Sequence, residues 1–568
     1  MQKGYAMKYH QRILAAVLCI CLSVGLAGCG SGNLTFEEPG GGQRPQQTVT
    51  PPSQREVVDC SVLTAQPFDA EAFLARVEAA RALLQQKDSG EQILQEYREL
   101  TALLREALTQ YTVSEINYYL DSGSEELQQA SAQAYTAVND CNDAYSVFLS
   151  ELSNSDYSGA YADEVGSANA AVFQNYEAQT EEQKTLLDRE KELEDEYTAL
   201  AGESYDTYEA TAQVMAPLYV ELIDVRNRLA ESYGYDDYPT YAYETTYGRS
   251  YTPADARGLE ENVKDGLAKR YVRLMLNITE EDYAALYRYP DASEENLLAL
   301  MRQYLPQMDA GFDEALEYML ACHAYDIAYR DSKYDASFTT MLYSWNVPYL
   351  FSQPNPDSQA DSLDTLVHEF GHYYAYLNDP TYASDDGFVY SADNIDVAEI
   401  HSTALELLFL RNYPELYGDD AEPLRRMVLT DILSNVVMGC IFDEFQQRVY
   451  TQEDLQPENV SEIFHDVFLD YMGDIYIDDY AYYMWSVVNH NFDAPLYYIS
   501  YGVSALAAFQ IWETSLEDPD AALQQYLELT AWGTDVDFQA LLKKCGMQDV
   551  FDDEFLTGLS RTLRSELQ

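Results

Sequence analysis

The sequence predicts a mainly α protein with a small β element, and three observations carry that reading. From Asp69 onward, apolar residues recur at three- and four-residue steps over long stretches, the period of a helix with one buried face. One segment, Met341–Ser352, is instead aromatic and β-prone, and Pro354, Pro356 and Asp357 punctuate its end. Hydrophobic residues make up 47% of the chain, enough for a substantial core, and 568 residues fit several average domains or one large helical body.

The N-terminus reads as an address. Lys3, Lys8 and Arg12 precede the apolar run Ile13–Leu26, a basic region followed by a hydrophobic one that is short for a membrane span. The run ends in Leu26-Ala27-Gly28-Cys29, which resembles a bacterial lipobox: small residues suit a signal peptidase cleft, and Cys29 then carries the lipid. Residues 1–28 are read as a lipoprotein signal peptide, which predicts an extracytoplasmic protein lipid-anchored to the bacterial cell membrane. Residues 29–59, rich in Gly, Pro, Gln and Thr without apolar periodicity, are read as a flexible tether. Cys60, Cys141, Cys322, Cys440 and Cys545 remain beyond it. They are widely spaced and odd in number, with no C-x-x-C pair, so the pattern points to neither a thiolate zinc site nor a disulfide framework.

Charge narrows the partners. With 33 Lys and Arg against 97 Asp and Glu, the net charge of −64 repels nucleic acid and anionic surfaces. The 50 Tyr are scattered and carry no functional inference by number alone.

The elements follow in order. Asp69 is placed to cap a helix beginning at Ala70, whose periodicity continues through Leu83, Leu100 and Leu108. Similar patterns run over Leu186–Leu200 and Ala216–Leu229. In Met341–Ser352, a short strand pair next to a turn, Pro348 cannot donate to a ladder and so favours an edge. Such an edge could pair with an extended peptide or merely pack a loop.

The stretch Ser362–His372 reads as the next helix, capped by Asp361 or Ser362, with Leu363, Leu366 and Val367 on its apolar side. It contains His368-Glu369-Phe370-Gly371-His372. Residues four apart share a helix face, so both imidazoles can bind one metal ion. Glu369 lies about 100° round the axis from His368, able to reach a water at the metal without being a ligand. Gly371 is unfavourable inside a helix by about 1 kcal/mol relative to Ala, which points to a close approach there. A further helical pattern, Asp396–Glu406, sets Glu399, Ser402 and Glu406 at i, i+3 and i+7. Two His plus one carboxylate is a common hydrolytic zinc set, with one position left open. Glu399 is the favoured third ligand. His401, the competitor, points away from the Glu399 face.

These residues carry a resemblance. His368–His372 together with Ala398-Glu399-Ile400-His401-Ser402-Thr403 and Glu406 is similar to the thimet oligopeptidase and oligoendopeptidase F family of zinc metallopeptidases, closest to the bacterial oligoendopeptidase F branch. In that family an E-x-x-S-x-x-x-E helix supplies the third ligand, and a small residue usually stands where this chain has His401. Trp485–Tyr501 is similar to the family's downstream stretch, in which one His and two Tyr face the zinc and hydrogen-bond the substrate carbonyl. By spacing these are His490, Tyr498 and Tyr501, with Tyr497 the neighbour of Tyr498. Arg226–Ala230 and Tyr247–Pro253 resemble the start of the catalytic body.

The resemblance implies an elongated helical body with a deep substrate channel and the β element beside the zinc-binding helix. It divides the remaining chain into an N-terminal helical region, 60–200, and a metallopeptidase catalytic domain, 201–568. It implies one Zn2+ per chain on His368, His372 and Glu399, Glu369 as general base, His490, Tyr498 and Tyr501 as catalytic groups, and Glu406 orienting a ligand. Oligopeptides are the substrates it implies. The alternatives are a peptide-binding lipoprotein of this fold without turnover, against which Glu369 argues, and a metallocarboxypeptidase of related architecture.

Overall fold

The computed structural model describes residues 50–86, 90–165, 170, 173, 180–201, 205–379, 393–473 and 479–567. The leader, Cys29 and residues 30–49 of the stretch read as tether lie outside them. The described part of that stretch lies against the body. Arg55 Nη2 donates to the carbonyl of Leu377, Tyr318 Oη donates to the carbonyl of Glu56, and Cys60 N–H donates to the carbonyl of Cys322. Among the described residues no helix is long and apolar enough to cross a membrane, and the five cysteines beyond Cys29 are free and buried.

The chain is mainly helical, as its periodicity predicts, with one three-stranded sheet among the described residues. Asp69 caps Ala70–Leu84 by accepting from the Ala72 N–H, which satisfies one of the donors a helix start leaves free. Helices Ala70–Leu84, Gly90–Leu120 and Glu125–Ser153 close around one core that includes Val77, Ile93, Leu104 and Phe148. The far end of Gly90–Leu120, through Val113 and Ile116, enters the larger core that runs to Leu567. Helix Glu181–Ala201 joins that larger core through Leu186, Leu193 and Tyr197. Arg226 pins it there: the guanidinium is fully buried, pairs with Glu190 and Glu194, and donates to the carbonyl of Phe492. Removing both glutamates would strand a buried charge, the expensive way to break such a network.

The sheet has the order β1-β3-β2, with β1 Tyr325–Asp326, β2 Ser337–Leu342 and β3 Val347–Ser352. β2 and β3 are antiparallel and β1 runs parallel to β3. This corrects the position of Pro348, which lies on the central strand rather than at an edge. The reason is local. Leu350 N–H points to the β1 side, donating to Ala324 O, so two residues earlier the proline nitrogen points the same way. β1 reaches only Leu350 and Phe351, so no ladder bond is lost at Pro348. β2 has no strand neighbour besides β3 among the described residues.

Two helix crossings set the geometry of the site. A Cβ on Gly371 would stand 2.7 Å from Ser402 Cα and 2.8 Å from His401 O, so Gln359–Asn378 and Ile395–Phe409 meet backbone to backbone there. This is the close approach that the helical glycine foretold. A Cβ on Gly439 would stand 2.8 Å from Tyr498 O and 3.1 Å from Gly502 N, so Ala421–Thr451 and Ile499–Glu517 cross at glycine as well.

Candidate active site

The helix Gln359–Asn378 begins one residue after Ser358, whose Oγ accepts from Asp361 N–H and donates to Leu286 O. The cap therefore lies three residues before Asp361, because the turn at Pro356 and Asp357 that follows the sheet leads straight into Ser358. Further along, His368 and His372 share one face, with ring centroids 5.2 Å apart. Ile395–Phe409 is capped by Asn394, which accepts from Asp396 N–H, and it brings Glu399 to both imidazoles. Glu399 Oε2 is 3.6 Å from His368 Nε2 and 3.6 Å from His372 Nε2. The ligand atoms of the three residues lie within 4.8 Å of one another.

This arrangement fits a cation. Two imidazole nitrogens face one carboxylate oxygen inside the protein, and His368 Nε2 is buried without a hydrogen-bond partner. Neutral rings would present lone pairs to an anion, so a positive charge belongs between them. Burial alone would lower His368, yet Glu399 and Glu406 lift it to about 10. Burial alone would raise Glu399, yet His372 and His368 hold it well below the usual carboxylate range. Two His and a carboxylate form a donor set suited to zinc.

The surrounding groups hold that set. His368 Nδ1 is 3.3 Å from Glu406 Oε2, which fixes the ring with Nε2 toward Glu399. Ser402 Oγ donates to Glu399 Oε2 at 3.2 Å. Glu369 is buried beside the set, and burial raises its pKa most, against the lowering effect of the two histidines. Thr339, on β2, places its hydroxyl 3.0 Å from Glu369 Oε2 and 2.9 Å from Glu369 O. The strand beside the helix thus steers this carboxylate.

His401 lies on the other side of its helix. It is fully buried, its Nδ1 is 3.4 Å from Thr530 Oγ1, and burial drives its pKa down to about 3. It belongs to the packing against Pro519–Thr530 and is not part of the cluster. The crossing explains how the larger side chain is accommodated: its backbone, not its ring, meets Gly371.

The second group forms around His490. Its ring centroid is 5.2 Å from Tyr498, 5.2 Å from Tyr497 and 6.2 Å from Tyr501, and Tyr498 and Tyr501 are 5.5 Å apart. Tyr497 turns an edge to Tyr247, and Tyr498 packs on Phe442. The turn before them is unusual, with Leu496 at φ 66°, a left-handed conformation that a branched residue adopts only when held there. Leu496 N–H donates to Gln446 Oε1, and Leu496 O accepts from Arg249 Nη2.

Arg249 links the two groups. It is buried, donates also to Ser500 Oγ, stands 3.8 Å from Asp396 Oδ2, and lies over the rings of Tyr243 and Tyr247. Asp396 is one turn before Glu399, and its carbonyl accepts from Ser504 Oγ, one turn after Tyr501. Sequence reading passed over Thr339, Gln446 and the role of Arg249, since no spacing rule connects positions so far apart in the chain.

His490 is buried, and burial lowers its pKa against the opposing charge of Asp493. Asn489 Nδ2 donates to Asp493, which turns Asn489 Oδ1 toward His490 Nδ1 at 3.0 Å. The other ring nitrogen, Nε2, is buried and has no hydrogen-bond partner among the described residues.

Comparison with known proteins places the fold among peptidases. Residues 311–561 match the model described as Peptidase family M3. No curated protein matches the chain. Among solved structures, PZ peptidase A superimposes with a TM-score of 0.75 at 19% identity, covering 89% of this chain and 100% of that one. A protein described as an oligoendopeptidase F from Bacillus anthracis str. Ames gives 0.70 at 16% identity, covering 90% and 98%. A Pyrococcus furiosus carboxypeptidase gives 0.56 at 14% identity, covering 85% and 100%. At these identities the likeness is one of fold. The candidate site residues from His368 to Tyr501 all fall within the stretch that matches Peptidase family M3, on a fold shared with these solved peptidases.

Proposed function

We propose that the protein is a zinc-dependent endopeptidase that hydrolyses oligopeptides outside the cell. The observation that carries this reading is the convergence of His368, His372 and Glu399 on one point, with the buried Glu369 carboxylate beside it. Zinc held there would supply Lewis acidity to the scissile carbonyl and to water. Glu369, aimed by Thr339, takes a proton from the attacking water and passes it to the leaving amine. Burial raises its pKa and so brings it nearer to working pH, as suits a group that must both accept and return a proton. Tyr498 and Tyr501 donate to the oxyanion as it forms. His490, whose buried Nε2 has no partner among the described residues, hydrogen-bonds the substrate carbonyl and nearby peptide backbone. The lipid on Cys29 belongs to the same proposal and would keep the enzyme at the membrane.

The test uses purified protein, an internally quenched peptide, a chelator with zinc add-back, and Glu369→Gln. Cleavage at internal bonds that the chelator abolishes, zinc restores and Glu369→Gln lacks is expected. Zinc binding without any cleavage would leave a peptide-binding protein, and release of single C-terminal residues only would identify a carboxypeptidase. For the anchor, mass spectrometry of the membrane fraction should find diacylglycerol on Cys29, and an unmodified Cys29 would refute it.

A further inference from the structure

A basic groove lies on the helices Leu267–Asn277 and Asp553–Glu566, and the peptidase reading makes no use of it. It is an open groove of about 360 Å³ lined by Arg270, Arg273, Leu276, Asn277 and Arg564. In a chain with 97 acidic residues against 33 basic ones, an arginine meets a carboxylate easily. Arg76, Arg81, Arg98, Arg189 and Arg288 all do so. The side chains of Arg270, Arg273 and Arg564 make no ion pair or hydrogen bond with any described residue. Arg270 Nε is moreover buried without a partner. Burial and the nearby charges of Arg273 and Arg564 lower its pKa.

We infer that this groove binds a phosphate group, of a soluble phosphate ester or of a phospholipid headgroup. One carboxylate has two oxygens and is satisfied by a single guanidinium fork. Three forks around one cavity match the several oxygens of a phosphate. The cavity is larger than the anion alone, and Leu276, 63% exposed at its edge, offers apolar surface to whatever the phosphate is attached to. The net charge of −64 sharpens the point, because the protein as a whole repels anions and only a built site would retain one.

The full chain is titrated calorimetrically with inorganic phosphate and with glycerol 3-phosphate, and sedimented with phosphatidylcholine vesicles with and without phosphatidylglycerol. Wild type is compared with the double variant Arg273→Gln/Arg564→Gln, both exposed positions, and with Lys269→Gln. Lys269 is on the same helix but already pairs with Asp265, so it controls for bulk charge. Peptide cleavage and melting temperature report that the variants are folded. Saturable binding that the double variant weakens at least tenfold and Lys269→Gln leaves intact is the expected result. Binding of the soluble probes assigns a soluble phosphate, and binding of phosphatidylglycerol vesicles alone assigns the headgroup. A lipid on Cys29 is common to all the proteins compared and cancels. Absence of saturable binding to every probe, or equal loss in Lys269→Gln, overturns the inference.

Discussion

Gly371→Ala isolates the helix crossing that positions the candidate metal site. The added Cβ would stand 2.7 Å from Ser402 Cα, where ordinary contact begins at 3.4 Å, so the two helices must part by about 0.7 Å. The obstacle is backbone on both sides, and no side chain can rotate away. Ser402 is three residues beyond Glu399, so the shift is passed to the carboxylate that faces His368 and His372 at 3.6 Å. Overpacking of this kind destabilises by about 1–3 kcal/mol, while Ala in place of Gly in a helix contributes about 1 kcal/mol in the other direction. The net loss of stability is therefore small, about 0–2 kcal/mol. The effect on function is larger, because a displacement approaching 1 Å in a catalytic array can lower rates by about a hundredfold. The assay is zinc affinity by competition with a chromophoric chelator, with kcat/KM on a quenched peptide and the melting temperature alongside. Gly258→Ala serves as the control: it is mid-helix with nothing within 4 Å of its new Cβ, and it should be neutral or stabilising. Zinc affinity and kcat/KM within about twofold of wild type in Gly371→Ala would refute the idea that this crossing sets the ligand geometry.

Thr339→Val removes the hydroxyl that steers Glu369 at similar volume. A hydrogen bond to a charged group contributes about 1.5–3 kcal/mol, so kcat should fall about tenfold or more with zinc affinity unchanged, and an unaltered kcat would leave Thr339 without a role. His401→Ala should bind one zinc with affinity near wild type while losing about 2–4 kcal/mol of stability to the cavity. A collapse of zinc affinity measured by the same competition would make His401 a ligand. Burial lifts Glu115, hydrogen-bonded by Tyr111 Oη and Tyr119 Oη, from 4.5 to about 7. The folded chain therefore holds this proton more tightly than the unfolded one. Its contribution is complete below pH 4.5 and is lost as pH rises to 7, by at most about 3 kcal/mol. Denaturant unfolding at pH 5 and pH 8 should show a smaller difference in Glu115→Gln than in wild type, and an equal difference would count against the shift.

The sequence by itself determined what is local. A helix period places His368 and His372 on one face, with Glu369 beside them. The same period puts Glu399, Ser402 and Glu406 along one stripe and His401 off it, and His401 is not among the residues that converge with His368 and His372. The helical glycine announced a close approach without naming its partner. Tertiary structure decided everything that depends on contact between distant segments. It showed that Gly371 meets Ser402, and that Thr339 of β2 holds the candidate base. It put the proline-bearing strand in the middle of the sheet, because β1 stops short of Pro348. It also revealed Arg249, 147 residues before Asp396 in the chain, as the link between the ligand helix and the strained turn at Leu496. Periodicity reports which face of an element is buried. It carries no information on what that face is buried against, and the fine placement of this site is made of such contacts.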